Sequence, residues 1–80
     1  MDSRSTFEAA VYRRLAKAVG HEDFEPATRL RMLGLQRQAL EDLLFRLEDD
    51  LDLNVSPRRE DQFIATDPTV ADLIGFLMGG

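Results

Sequence analysis

Gln36-Arg37-Gln38-Ala39-Leu40-Glu41-Asp42-Leu43-Leu44-Phe45-Arg46-Leu47-Glu48-Asp49-Asp50-Leu51 places leucines at positions 40, 43, 44, 47 and 51. This i, i+3, i+4, i+7, i+11 spacing marks one face of an α-helix and predicts an amphipathic helix from about Gln36 onward. The other positions carry Glu41, Asp42, Glu48, Asp49 and Asp50, with Arg46 between them. From Glu41 to Asp52 there are six acids and one base, so the whole net charge of −5 falls on this helix and its exit. The remaining nine acids and nine bases cancel.

Upstream, Ser5-Thr6-Phe7-Glu8 has the form of a capping box and predicts a helix start. Phe7, Val11, Leu15 and Ala18 form its apolar stripe, and Gly20 stops it. Between Gly20 and Gly34 no period is sustained and Pro26 interrupts, which predicts a long loop anchored by Phe24, Leu30, Met32, Leu33 and Leu35. Downstream of Leu51, Leu53 and Val55 alternate with polar residues, Ser56-Pro57 reads as a turn, and a short helical stretch is expected over Arg59 to Ile64. Two signals start the last helix, Asp67 before Pro68 and Thr69 with Asp72 as a capping box. Val70, Leu73, Ile74 and Leu77 are its stripe and Gly79-Gly80 its end. The fold class that follows is all-α: a small antiparallel four-helix bundle with three main helices, a short third helix and a long first loop.

Eighty residues form one domain, 1–80, and a domain of this size buries only about 60% of the surface its unfolded chain exposes. With no Cys, neither a disulfide nor a thiolate metal site supplements the core. No apolar run approaches the ~20 residues of a membrane span, and residues 1–5 lack a signal peptide's apolar segment, so a cytoplasmic protein is expected. The acidic balance argues against nucleic acid, whose affinity comes from Lys and Arg displacing counterions.

Catalytic chemistry has little to work with. His21 is the only histidine, it lies in the long loop without an orienting partner, and it reads as a solvated loop residue. No phosphate-cradling glycine run is present. Asp50-Leu51-Asp52-Leu53-Asn54 opens like a calcium loop, but Val55, Arg58 and Asp61 stand where that loop needs Gly, an oxygen ligand and a bidentate Glu. No enzyme activity and no metal site are expected.

Glu25-Pro26-Ala27-Thr28-Arg29-Leu30-Arg31-Met32-Leu33-Gly34-Leu35 resembles the approach to the second helix of acyl carrier proteins and peptidyl carrier domains. Leu43 to Leu51 resembles that family's "ELLxxLEEEF" stretch, Leu53-Asn54-Val55-Ser56-Pro57 its "x-E-I-P" exit, and Asp67 to Leu77 its final helix. The likeness runs without gaps over nearly the whole chain. It implies a carrier fold in which the long first loop crosses the bundle and the Gln36–Arg37 junction is exposed at one pole. In the family Leu-Gly-Leu is followed by Asp-Ser-Leu, whose Ser receives 4′-phosphopantetheine; here those positions are Gln36, Arg37 and Gln38. A guanidinium offers no oxygen for the phosphodiester, so no cofactor is expected. A cation at a helix N-terminus also costs about 0.3–1 kcal/mol against the helix dipole, and Arg37 reads as a solvated replacement or, alternatively, as a contact for an anionic ligand or a partner carboxylate. Glu41 takes the place of an inward Val while Leu40 is apolar, so the first turn of this helix is expected to be rotated or shortened by one residue.

The resemblance further implies docking through the acidic second helix, at Asp42, Glu48, Asp49 and Asp50, onto synthase, ligase or transferase partners with basic surfaces. The charge clustering alone would steer a positive surface to the same helix. The expected protein is a monomer that serves fatty-acid, polyketide or related biosynthesis as an accessory or regulatory docking module. Two alternatives stay open: a genuine acyl or aminoacyl carrier whose Ser is replaced by Arg37, and an unrelated small helical bundle.

Overall fold

The first helix, α1 (Ser3–Val19), begins two residues before the Ser5 box. Ser5 is therefore inside the helix, and Glu8, which would close the box, pairs instead with Arg4 one turn back at 2.8 Å. A computed structural model describes residues 3–79 of the chain, with side chains from Arg4. Ala10, Val11 and Leu15 are the buried face of α1, with Phe7, Tyr12 and Val19 half-buried beside them. Ala18 is exposed, and the stripe continues instead through Val19. Gly20, at φ 84°, ends the helix in the left-handed region that an L side chain rarely adopts.

The stretch between Gly20 and Gly34 is ordered by backbone bonds to the far end of the chain. Leu30 N–H donates to Pro68 O at 2.9 Å, Val70 N–H to Thr28 O at 3.0 Å, and Ala71 N–H to Pro26 O at 2.9 Å. Arg29 and Thr69 thereby form an isolated antiparallel bridge. Leu30–Leu33 is a 3-10 turn, an element that sequence periodicity missed. With three residues per turn, Leu30 and Leu33 fall on one side and Met32 on another. Leu30 is fully buried and Leu35 nearly so, whereas Met32 is 73% exposed and does not anchor the segment. Tyr12 and Phe24 stack with ring centroids 5.5 Å apart and fix the start of the loop to α1.

Helix α2 (Arg37–Asp50) buries Leu40, Leu43, Leu44 and Leu47. Helix α3 (Pro57–Ala65) starts two residues earlier than its periodicity predicts. Ser56-Pro57 is its cap and first residue rather than a turn, and the Ser56 hydroxyl accepts from Arg59 N–H at 3.3 Å. No residue of α3 is fully buried; it rests on Phe63, whose ring stacks on Phe76 at 4.3 Å, and on Ile64. Helix α4 (Val70–Leu77) uses the second of the two possible starts. The Thr69 hydroxyl accepts from Asp72 N–H at 3.1 Å and the Asp72 carboxylate accepts from Thr69 N–H at 3.0 Å. Asp67, the other possible cap, instead takes a left-handed φ of 56° and is held by Arg29 and Arg31 at 3.6 and 3.3 Å. Gly79 follows α4 at φ 84°; Gly80 lies outside the described residues.

The architecture is all-α, and the described residues contain no strand. Helix α1 packs on α2 and α4, and α3 packs on α2. Val11, Leu15, Leu30, Leu44, Leu47, Val70 and Leu73 fill the centre, and no polar or charged residue is fully buried among those described. Each such side chain contributes on the order of 1.5–3 kcal/mol by leaving water. The cap at the start of α4 is a separate, smaller contribution: Thr69→Ala is expected to cost about 1 kcal/mol. In a domain of this size that lowers Tm by about 4–8 °C, read from a thermal melt followed by circular dichroism.

Candidate functional site

The four acids expected to form a docking strip do not share one fate. Asp42 accepts from Arg46 Nε at 3.0 Å, a pair one turn apart on the same exposed face. Asp50 receives a bidentate grip from Arg14 on α1, Nε at 2.5 Å and a terminal nitrogen at 2.7 Å. That hydrogen bonding holds the Asp50 carboxyl below its ordinary value and raises the Arg14 guanidinium in return. Asp50 thus ties α2 to α1. Asp49 is exposed and acts on Arg14 only through its charge.

Glu48 turns inward. It is half-buried; Oε1 accepts from Val55 N–H at 3.4 Å, and Oε2 is buried with no donor in reach unless a neighbouring acid carries a proton. The neighbour is Glu60 on α3. Burial, then hydrogen bonding to Glu48, then the charges of Glu48, Asp61 and Glu41 push the Glu60 carboxyl up to about 7. Glu60 on α3 thus faces Glu48 on α2 across the joint between these helices. Sequence spacing held the signal for Glu48, four residues after Leu44 and three before Leu51, which sets it at the edge of the buried stripe. The charged side chain masked it.

Arg37 is not a merely solvated replacement. It pairs with Glu41 at 3.3 Å along α2 and with Asp61 of α3 at 2.8 Å. These carboxylates supply the negative charge that the N-terminus of α2 prefers, offsetting the cation placed there. Gln36, Arg37, Gln38 and Ala39 are all exposed, and Gln36 makes no side-chain cap. Leu40 points into the core and Glu41 out of it, so the first turn of α2 presents position 40 inward.

One residue on this face was overlooked in the sequence. Phe45 is 72% exposed, lying on the outer side of α2 with Glu41 and Asp42 a turn before it and Asp49 a turn after. Its signal was an apolar residue off the leucine stripe. The face is therefore an exposed aromatic ring bordered by Glu41, Asp42 and Asp49. Glu48 has withdrawn from it, and Asp50 is turned to α1.

Elsewhere, His21 Nδ1 accepts from Asp23 N–H at 3.0 Å and its ring is tilted toward Phe24, so it shapes the loop after α1. Among the described residues no three His, Asp or Glu side chains converge as metal ligands. Nor is any helix among them long and apolar enough to cross a membrane. No family model, curated protein or solved structure matches this chain.

Proposed function

We propose that this protein is an acyl-carrier-protein-like docking module that engages partner enzymes through the outer face of α2 and carries no phosphopantetheine arm. The observation that carries the reading is Phe45, a large ring left in water at the centre of an acidic helix face. An aromatic anchor supplies affinity when it is desolvated, and the bordering acids orient and accelerate the approach of a basic surface. Partners of this chemistry are synthase, ligase or transferase enzymes with a basic rim, in fatty-acid, polyketide or related biosynthesis. The module acts as a monomer in the cytoplasm. Arg37 stands where the resembled family carries its serine, and here it links α2 to α3 through Asp61.

A second reading, a genuine carrier lineage whose attachment serine was replaced, is favoured by the exposure of the whole Gln36–Ala39 segment. A serine restored there would be open to a transferase. Intact-mass spectrometry after incubation with coenzyme A and a phosphopantetheinyl transferase tests both readings. The wild-type chain is expected to show no mass change, and a gain of one pantetheine arm would overturn the armless assignment. The variant Gln36→Asp, Arg37→Ser, Gln38→Leu is expected to gain the arm if the second reading holds; a folded variant that stays unmodified counts against it. On a variant that accepts the arm, Phe45→Ser measures docking. It leaves folding intact because the ring is exposed, and it is expected to slow modification about tenfold or more if the ring is a binding anchor.

A further inference from the structure

The surface between α1 and α2 contains a slot of about 380 Å³ with an apolar floor, formed by Leu35 and Leu43. Ala18 on α1 and Ala39 on α2 line it as well, and both are exposed, so the small size of these two residues leaves the space open. Its rim carries Arg14, Lys17 and Arg46 against a single acid, Asp42. A second hollow of about 280 Å³ shares Arg14 and Lys17 and adds Arg13 and Asp50. Together the two hollows hold four bases and two acids, a local balance of +2 in a chain whose net charge is −5.

The cations are not equivalent. Arg14 is committed to Asp50 and Arg46 to Asp42, which fixes both guanidinium groups and leaves them little charge to offer. Lys17 lines both hollows and forms no ion pair with any described acid; Arg13 is likewise without one but lines only the second hollow, away from Leu35 and Leu43. An apolar floor beside one unspent ammonium selects a ligand with a short apolar body and a single anionic end. Four of the eight lining residues are apolar and four are charged, and a concave site of a few hundred Å³ has the size usual for a small molecule.

We propose that the slot between α1 and α2 is a binding site for a small alkyl carboxylate, with the chain lying on Leu35 and Leu43 between Ala18 and Ala39 and the carboxylate paired to Lys17. Glu41 and Asp49 on the outer face of α2 would repel such a ligand, whereas the slot sets three bases against the single acid Asp42 beside apolar surface. The site shares Asp42 with the outer face of α2, but its test, a free ligand added to the protein alone, uses neither a docking partner nor the arm.

Octanoate is the probe. Titrated into the ¹⁵N-labelled wild-type protein, it is expected to bind saturably, with amide shifts concentrated in the last turns of α1 and the first turns of α2. Lys17→Gln is expected to weaken binding about threefold to fivefold, the value of one exposed ion pair. Uncharged 1-octanol should bind the wild type more weakly by a similar factor. Ala39→Leu, at an exposed helical position that tolerates leucine, should fill the slot and abolish saturable binding while the helical circular dichroism is kept. Equal affinity of octanoate for the wild type and Lys17→Gln would overturn the proposal. So would shifts centred on Phe63 and Phe76 instead, or an absence of saturation.

Discussion

Leu30→Ala is expected to lower the unfolding free energy by about 3–4 kcal/mol, the range for a buried leucine whose cavity closes only in part. Leu30 has no solvent exposure, and its own N–H is bonded to Pro68 O at 2.9 Å, so the surrounding backbone has little freedom to collapse into the space. For a chain of 80 residues the total stability is on the order of 4–12 kcal/mol, so this one truncation removes a large share of it. Met32→Ala, two residues away in the same 3-10 turn, is the internal control: at 73% exposure it should change the unfolding free energy by no more than about 0.5 kcal/mol. Urea titrations of the two variants decide the matter. Equal effects would mean that the turn is not anchored through Leu30.

Glu60→Gln is expected to change how stability depends on pH. The Glu60 carboxyl stands at about 7 in the folded protein against 4.5 ordinarily. Between these values the unfolded chain releases its proton while the folded one keeps it, so the folded state binds more protons and stability falls as pH rises. The contribution is fully present below about 4.5 and is lost as pH passes through about 7. Because the site is open to water on one side, the loss is on the order of 1–2 kcal/mol rather than the full value of the shift. Asp50 acts with the opposite sign. Its carboxyl is held low by Arg14, so its contribution is present above the ordinary Asp value and is lost in more acidic solution. Glutamine at position 60 cannot ionise and can offer an amide N–H to Glu48 Oε2 at every pH. Thermal melts from pH 5 to 8 should therefore be flatter for the variant, with a Tm at pH 8 at or above that of the wild type. An unchanged slope would show that the raised Glu60 carboxyl is not the cause.

The helices whose signals are local were legible in the sequence, and the departures have local physical causes. The leucine spacing of α2 and the reciprocal cap of α4 each depend on residues within a turn or two, and both elements formed as read. The start of α1 differs from the Ser5 box because Ser3 and Arg4 are already helical, and Glu8 pairs with Arg4. Ser56-Pro57 reads as a turn because proline breaks helices in their interior, yet at the first helical position its missing N–H costs nothing. The 3-10 turn was invisible because a four-residue element has no period to detect, and Met32 was placed inward for the same reason.

The candidate site was less legible than the fold. Charge type suggested four outward acids, but whether a carboxylate faces a guanidinium, water or another carboxylate depends on α1 and α3, which sequence spacing does not place beside α2. Arg14 with Asp50 and Glu48 with Glu60 are both of this kind. Phe45 was readable in principle, since its position relative to the leucine stripe already puts it on the outside.

The backbone bonds between residues 26–30 and 68–71 have a further consequence. They close a ring of about forty residues that contains both α2 and α3, with its two ends clasped at the Arg29–Thr69 bridge. In an oxidised protein a disulfide would perform this function, restricting the open chain and holding the enclosed helices in register. Here three backbone hydrogen bonds and the grip of two arginines on one aspartate hold the enclosed helices in register in the folded state alone, a fastening that leaves the unfolded chain unrestricted and opens without chemistry. Thiol reductants will leave it untouched.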